Sequence, residues 1–333
     1  FLMFHLGLEF NLHKLVSVGS TAIITTATGV AGMLGIGYTS GMLLGFGTMN
    51  SICLGGMLAM SSTTIIIKVF DELKIKEKYT ELVFGTLVIQ DIVGIFMMVI
   101  LSTISARQNI SGVEIMGSLL LMVLYLIIWL VFGIYLLPTF FNKTIKLMND
   151  EMLLVVSIGI CFGMVLLADN LGFSTALGSF LAGSLLAGTV HVERVETLTK
   201  GVKDLFGAVF FISVGMMVQP EMIAKYIIPI VVIILVTLVG KLVFNSIGML
   251  LSGQSLPNAV SSGFALAQIG EFAFIIASFG INLGIIDEYI YPIVVAVSVI
   301  TTFTTPFCIK AAPIFVGWLD KVLPESAKEK LTR

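Results

Sequence analysis

Charged side chains are scarce in this chain. Asp, Glu, Lys and Arg together make up 11% of its 333 residues, and hydrophobic residues make up 57%. A typical soluble domain carries about 25% charged residues. The formal net charge of −2 also provides no basic surface for a nucleic acid, so no nucleic-acid partner is expected. The composition excludes an ordinary soluble domain and predicts an all-α polytopic membrane protein surrounded by a lipid bilayer.

Cysteine is also rare, and its positions exclude two further kinds of site. Cys53, Cys161 and Cys308 lie in or beside apolar runs, with neither the spacing of metal ligands nor the pattern of a disulfide framework. We therefore expect no metal centre and no cofactor, and we do not expect an enzyme. The first residue, Phe1, lies inside an apolar run with no initiator Met, so we expect the natural protein to begin further upstream.

Long apolar runs are abundant, and their lengths suit membrane crossings. Turn signals between the runs divide the chain into eleven predicted segments. These cover residues 1–10 (a stub), 16–37, 43–69, 82–104, 114–137, 151–168, 173–189, 204–218, 226–250, 258–281 and 290–310. We expect one transmembrane domain over residues 1–318, truncated at its N-terminus, and a cytoplasmic tail over 319–333.

Basic residues are distributed unequally between the predicted loops. If the loop after the stub is cytoplasmic, fifteen Lys and Arg residues fall on that side, and only Arg107 and Lys225 fall on the other. Cytoplasmic loops carry an excess of Lys and Arg in multi-pass proteins. The distribution therefore supports the predicted segments, and it predicts a protein of the cell (inner) membrane whose C-terminus is cytoplasmic.

One carboxylate lies in the middle of a predicted span. Asp91 is flanked by the apolar residues of 82–101, and a charge at the centre of a membrane helix costs roughly 2.5–3.5 kcal/mol on insertion scales. Such residues usually face a bundle interior or a water-filled path and mark an ion or proton route. Gln90 beside it adds a neutral oxygen ligand. The pair predicts an ion-binding site.

Two further ionisable residues lie well within spans, namely Lys241 and Glu271. They could neutralise each other and hold helices in register, which would be a structural role. Two acids and one base still leave one carboxylate that must be protonated, cation-bound or hydrated. Glu9 ends the first apolar stub near the predicted cytoplasmic interface, where it is either a solvated or capping residue or part of a cation path.

Clusters of glycine and polar residues interrupt two spans, at 55–64 and at 261–271. Irregular backbone survives at membrane depth only where it is buried in protein or lines a cavity, so these clusters predict two broken helices. The alternative is close packing of small residues between intact helices. The triplets 16–104 and 226–310 around the clusters run in opposite directions through the membrane, which is the pattern of an inverted repeat.

Six motifs in this order resemble the monovalent cation:proton antiporters of the Kef type, in the superfamily of NhaA-like sodium/proton exchangers. They are Leu2-Met-Phe-His-Leu-Gly-Leu-Glu9, Ser61-Ser-Thr-Thr64, Gln90-Asp91, Ala176-Leu-Gly-Ser-Phe-Leu-Ala-Gly183, Phe210-Phe-Ile-Ser-Val-Gly-Met216 and Gly270-Glu-Phe-Ala-Phe274. The resemblance covers essentially the whole chain. It implies the inverted-repeat antiporter fold with two crossed, broken helices, and a homodimer with a dimerisation domain and a mobile six-helix core.

The resemblance also implies roles for individual residues. Asp91 matches the ion-binding aspartate of the family, and Gln90 stands where electrogenic relatives have a second Asp. Thr63 and Thr64 match the unwound helix beside the site. Lys241 and Glu271 resemble the charged partners of the core, and Ser62 and Glu9 are possible cation-path residues. Kef systems proper continue into a nucleotide-binding domain after the last helix, whereas this sequence ends at Arg333, so gating by such a ligand is not predicted.

The sequence thus predicts a secondary transporter that exchanges Na⁺ or K⁺ for H⁺ at the single carboxylate Asp91. An elevator-like movement would carry the neutralised site across the membrane, and with one acid in the Gln90-Asp91 pair the exchange would move no net charge. The ligands do not distinguish Na⁺ from K⁺. A cation channel or an organic-solute transporter on the same scaffold is the alternative, and a structural or receptor role is a third possibility.

Overall fold

The computed structural model describes residues 1–9, 19–105, 148–170, 175–187, 192–216 and 220–322, with a few single positions between them. The predicted span 114–137 and the residues from 323 onward lie outside this part. The described chain is helical, and no strand occurs in it. In chain order the helices are α1 (Leu2–Glu9), α2 (Gly19–Leu43), α3 (Thr48–Ala59), α4 (Thr63–Glu72), α5 (Lys78–Ser105), α6 (Asp150–Asn170), α7 (Thr175–Ala187), α8 (Val192–Met216), α9 (Pro220–Lys225), α10 (Ile227–Leu251), α11 (Leu256–Ala265), α12 (Phe272–Asn282) and α13 (Ile290–Val322).

The helices agree with the predicted spans in position, and the prediction of a multi-pass, all-α membrane protein is confirmed. Six segments of the described chain are long and apolar enough to cross a bilayer. Two boundaries differ from the prediction. The connection 190–203 and the span 204–218 form one continuous helix, α8. The last helix, α13, runs on to Val322, beyond the end of the predicted span at residue 310.

The chain divides into two compact units. The first comprises residues 1–16 and 98–216, and in it α1 packs directly on α7. A Cβ atom on Gly7 would lie 2.9 Å from the Cα of Gly183, so only glycine allows this approach. Phe4 and Leu8 of α1 are buried in an apolar cluster with residues of α6, α7 and α8.

The second unit comprises residues 17–97 and 217–333. It contains both predicted broken spans, and each is interrupted at the predicted place. The predicted span 43–69 corresponds to α3 and α4, separated at Met60–Ser62, and the predicted span 258–281 corresponds to α11 and α12, separated at 266–271. Helix α2 lies against α3, where a Cβ on Gly37 would overlap the backbone of Gly55. This unit positions the candidate site.

Candidate functional site

The first break has a local cause in the sequence Ser61-Ser62-Thr63-Thr64. Helix α3 ends as Met60 turns to an extended conformation, with φ −79° and ψ 134°. Ser62 is also extended and caps α4, because its Oγ accepts a hydrogen bond from Ile65 N at 3.4 Å. Serine and threonine favour such caps over helix interiors. The break releases backbone carbonyls of α3 from their helical partners.

The second break passes directly over the first. The amide of Gly270 donates to the carbonyl of Met60 at 3.0 Å, and a Cβ on Gly270 would lie only 2.5 Å from the carbonyl carbon of Ser61. A side chain at residue 270 would therefore force the two breaks apart. The predicted pair of crossed, broken helices is confirmed.

Side chains bind the two breaks to each other. Gln268 pairs with the backbone of Ser62 in both directions, since its Oε1 accepts from Ser62 N at 3.2 Å and its Nε2 donates to Ser62 O at 3.0 Å. The hydroxyl of Ser61 donates to Leu266 O at 3.2 Å. Buried polar backbone thus finds partners across the crossing. Gln268 belongs to the polar cluster 261–271, but its partner could not be read from the sequence.

Lys241 is fully buried and lies beneath the crossing. Its three Nζ donors face four neutral oxygens, at 2.9 Å to Met60 O, 2.7 Å to Ser61 Oγ, 2.8 Å to Gln268 O and 3.2 Å to Ala59 O. The ion pair with Glu271, which was one of the two alternatives for Lys241, is not formed in the described structure. Lys241 instead holds carbonyls that the C-terminal end of α3 leaves open, where the helix dipole favours a positive group.

Asp91 and Glu271 flank the start of α4. The hydroxyl of Thr63 donates to Asp91 Oδ2 at 3.4 Å, and that of Thr64 donates to Glu271 Oε1 at 3.5 Å. Both carboxylates are partly exposed. Ser62 Oγ lies 3.1 Å from Thr64 Oγ1. The helix N-terminus, which carries a partial positive charge, faces the two acids.

The other residues that the sequence predicted for the site are Gln90, Ser62 and Glu9. Gln90 is buried, and its Oε1 accepts from Ser61 N at 3.2 Å. This bond uses one of the two lone pairs of the amide oxygen, so the expected role of Gln90 as a cation ligand stays a prediction. Ser62 is fully buried as the cap of α4. The side chain of Glu9 lies outside the described residues, so its expected role in a cation path stays a prediction.

A second polar group lies where α3 begins, at the opposite end from the break. Asn50 Nδ2 donates to Asp287 Oδ2 at 2.6 Å, and Asp287 N donates to Asn50 Oδ1 at 3.0 Å. The hydroxyl of Tyr289 donates to Phe46 O at 3.2 Å, and its ring stacks on Tyr226. Burial, helped by the charge of Asp287, raises the pKa of Tyr289 above its ordinary value, while a hydrogen bond with Asn50 opposes the shift.

Several oxygen atoms lie close together around the crossing of the two broken membrane helices. Carboxylate, hydroxyl and carbonyl oxygens are the ligands that hard cations take in proteins. A carboxylate also accepts a proton. Asp91 with Thr63 therefore offers the kinds of oxygen that cations and protons bind, while Lys241, Gln90 and Gln268 hold the surrounding backbone.

Several known proteins are similar to this chain in sequence or in fold. The family described as "Sodium/hydrogen exchanger, transmembrane" matches residues 1–312. K(+) efflux antiporter 5 of Arabidopsis thaliana is 27% identical over 318 residues, which are 94% of this chain and 56% of that protein. The K(+)/H(+) antiporter subunit KhtU of Bacillus subtilis is 27% identical over 290 residues, 86% of this chain and 70% of that protein.

The chain thus spans little more than half the length of the plant relative. A solved structure, the sodium proton antiporter MjNhaP1 of Methanocaldococcus jannaschii, has the same fold with a TM-score of 0.68 at 16% identity, covering 100% of this chain and 83% of that one. The family match extends over nearly all of the described helices, including both breaks and Asp91. This chain belongs to the sodium/hydrogen exchanger family of transmembrane proteins.

Proposed function

We propose that this protein exchanges a monovalent cation, Na⁺ or K⁺, for H⁺ at a single membrane-embedded carboxylate, Asp91. The observation that carries the proposal is the contact of 3.4 Å between Thr63 Oγ1 and Asp91 Oδ2, beside a break in the neighbouring membrane helix. A hydroxyl and a carboxylate at an unwound segment supply oxygen ligands at membrane depth. The K⁺ antiport named for the two relatives and the sodium/hydrogen exchange named for the family both support the reaction.

Competition at one carboxylate is sufficient to couple the two ions. When Asp91 is empty it carries a negative charge, and moving that charge through a hydrophobic barrier is costly. A bound proton or a bound monovalent cation neutralises it. The site then crosses the membrane only when it is occupied, so each crossing in one direction with a cation is matched by a return with a proton.

We propose that the exchange is electroneutral, with one H⁺ moved per cation. Gln90 stands next to Asp91 and cannot ionise, and its Oε1 is bound to Ser61 N. Lys241 and Glu271 are proposed to support the site without being carried ions themselves. Lys241 holds the crossing through neutral oxygens, and Glu271 accepts from Thr64, which lies beside Thr63 in the first turn of α4.

An elevator-like movement is the proposed route across the membrane. The second unit contains six predicted spans, including both broken helices, and its two breaks are joined by direct backbone and side-chain hydrogen bonds. Such a body could move without disturbing the site. The first unit is the proposed dimerisation domain, and the expected assembly is a homodimer in the cell membrane with a cytoplasmic C-terminus.

The test is transport by purified protein in proteoliposomes that contain a pH-sensitive dye. Addition of Na⁺, K⁺ or Li⁺ is expected to drive proton movement, and Asp91→Asn is expected to abolish it. Asp169→Asn, at an exposed position near the end of α6, is the matched control and should behave like wild type. Proton movement that persists in Asp91→Asn at the wild-type rate would remove Asp91 from the mechanism.

The same preparation separates an exchanger from a channel and tests the stoichiometry. On a solid-supported membrane, electroneutral exchange produces proton movement without a steady current. A current that grows in proportion to exchange would reject the one-to-one ratio. Cation flux without any proton counterflow would instead favour a channel. Light scattering of the detergent-solubilised protein tests the dimer, whose mass should be twice the 35.9 kDa of one chain.

A further inference from the structure

A group of buried polar side chains lies between α2, α10 and α11, away from the residues proposed to carry ions. Thr25, Asn245, Ser246 and Ser262 are each at most 8% exposed. Their polar side-chain atoms have no hydrogen-bond partner among the described residues, and for Asn245 this holds for both Nδ2 and Oδ1. Most buried polar groups in proteins are paired with protein or with ordered water.

The four side chains lie within about one helical turn of the same depth, since Thr25 lies opposite Gly248 and Asn245 lies opposite Gly29. Thr25 and Ser262 each follow the first residue of their helix by six positions, and Asn245 precedes Leu251, the last residue of α10, by six. Six residues of helix correspond to about 9 Å. The three helix ends lie on the same side, since Gln254 Nε2 donates to Thr21 Oγ1 at 3.2 Å.

Close helix contacts bring these side chains into the interfaces. A Cβ on Gly29 of α2 would overlap Asn245 Oδ1, and a Cβ on Gly263 of α11 would overlap Ser246 Oγ. A Cβ on Gly248 would lie 2.7 Å from Thr25 Cα. The glycines thus leave room for polar atoms where larger residues would exclude them.

The chemistry of the group suits water better than a cation. An amide offers two donors and an acceptor, and each hydroxyl both donates and accepts, which is the mixture that a buried water of about three hydrogen bonds requires. A cation would leave the Nδ2 donors without an acceptor, whereas water serves donors and acceptors alike. Lys241 lies one helical turn away on the same face of α10, and its own donors are directed to the crossing.

We propose that Thr25, Asn245, Ser246 and Ser262 hold ordered water one turn from Lys241, on the side of the helix end at Leu251. The water completes the hydrogen bonds of the four side chains. The water lies between two polar regions. One is the contact of Thr21 with Gln254 at the helix ends, and the other is the crossing of the two breaks. This inference does not depend on which ion the protein carries.

A high-resolution cryo-EM structure of the wild-type protein in lipid nanodiscs tests the proposal directly. Density for water is expected within hydrogen-bond distance of the Asn245 amide and of at least two of the three hydroxyls. The absence of such density would overturn the proposal, and so would a conformation of Asn245 in which protein groups satisfy its amide.

The melting temperature of Asn245→Leu gives a second, independent test. If the amide is bonded to water, its loss leaves the water and the hydroxyls short of a partner, and the melting temperature should fall by several degrees. If the amide is unpaired, the apolar residue of similar size removes a buried polar group without a partner. An unchanged or higher melting temperature would therefore overturn the proposal. The buried Thr237, whose hydroxyl donates to Ile233 O at 2.7 Å within its helix, provides the control as Thr237→Val.

Discussion

Thr63 and Thr64 are neighbours in the chain, but their hydroxyls donate to different carboxylates. Thr63 Oγ1 lies 3.4 Å from Asp91 Oδ2, and Thr64 Oγ1 lies 3.5 Å from Glu271 Oε1. Both threonines occupy the first turn of α4, where successive side chains point in different directions around the helix axis. One short segment therefore connects the proposed ion site with the second broken helix.

The two threonines should differ in their effect on ion binding. Thr63→Val removes an oxygen beside Asp91 and is expected to raise the apparent KM for the cation about fivefold, the equivalent of one hydrogen bond. Thr64→Val, whose hydroxyl serves Glu271, is the matched control and should change KM much less. Cation titrations with the proteoliposome assay measure both. Equal changes in KM for the two variants would contradict the assignment of Thr63 to the ion.

Gly270 should tolerate no side chain. The Cβ of Gly270→Ala would lie 2.5 Å from Ser61 C and 2.6 Å from Ser61 O, and backbone atoms cannot move aside as a flexible side chain can. We expect the free energy of unfolding to fall by about 1–3 kcal/mol, as for other overpacked interiors. Gly35→Ala in α2, where nothing lies within 4 Å of the added Cβ, is the control. Thermal unfolding in detergent measures both, and equal melting temperatures would show that the crossing is looser than described.

The positions of the helices and of the two breaks could be predicted because their signals are local. Runs of apolar residues identify the spans, and Ser61-Ser62-Thr63-Thr64 carries its own capping chemistry. The contact of Thr63 with Asp91 follows from the same local features once the two helices are neighbours. Helix α13 extends beyond the predicted span because the thickness of the bilayer sets the length of a span, and it does not limit a helix that continues outside the bilayer.

The partners of Lys241 and Gln268 could not be predicted, because they depend on which backbone oxygens the breaks expose. A lysine and a glutamate that both lie within predicted spans are compatible with an ion pair and with binding of the lysine to carbonyls. The sequence does not distinguish the two. Every residue has a backbone carbonyl, so the residue types do not show which carbonyls will be exposed to the lysine. The bond from the Ser61 amide to Gln90 Oε1 could not be predicted for the same reason, and the expected role of Gln90 as a cation ligand stays a prediction.

Because of the polar group at Asn50 and Tyr289, the free energy of unfolding should depend on pH under alkaline conditions. The pKa of Tyr289 is raised above the ordinary 10.0, so above pH 10 the unfolded chain loses this proton before the folded protein does. The folded state then binds more protons, and the stabilisation by the neutral phenol is lost as pH rises through the folded pKa. Tyr289→Phe should reduce the fall in melting temperature above pH 10, and Asp287→Asn should reduce it less. An identical fall in wild type and Tyr289→Phe would show that this phenol does not contribute.

Lys241 should contribute to the stability of the crossing more than to the electrostatics of the ion site. Lys241→Met keeps most of the side-chain volume but leaves Ser61 Oγ and Gln268 O without their donor, and Met60 O keeps only its bond from Gly270 N. We expect the free energy of unfolding to fall by about 2–4 kcal/mol, since buried acceptors lose their partners. Lys68→Met, at an exposed position of α4, should change it by less than about 0.5 kcal/mol. Thermal unfolding and transport are measured on the same preparations. A variant that melts like wild type but has lost exchange would mean that Lys241 acts on the ion through its charge, because the hydrogen bonds to the breaks would then be dispensable.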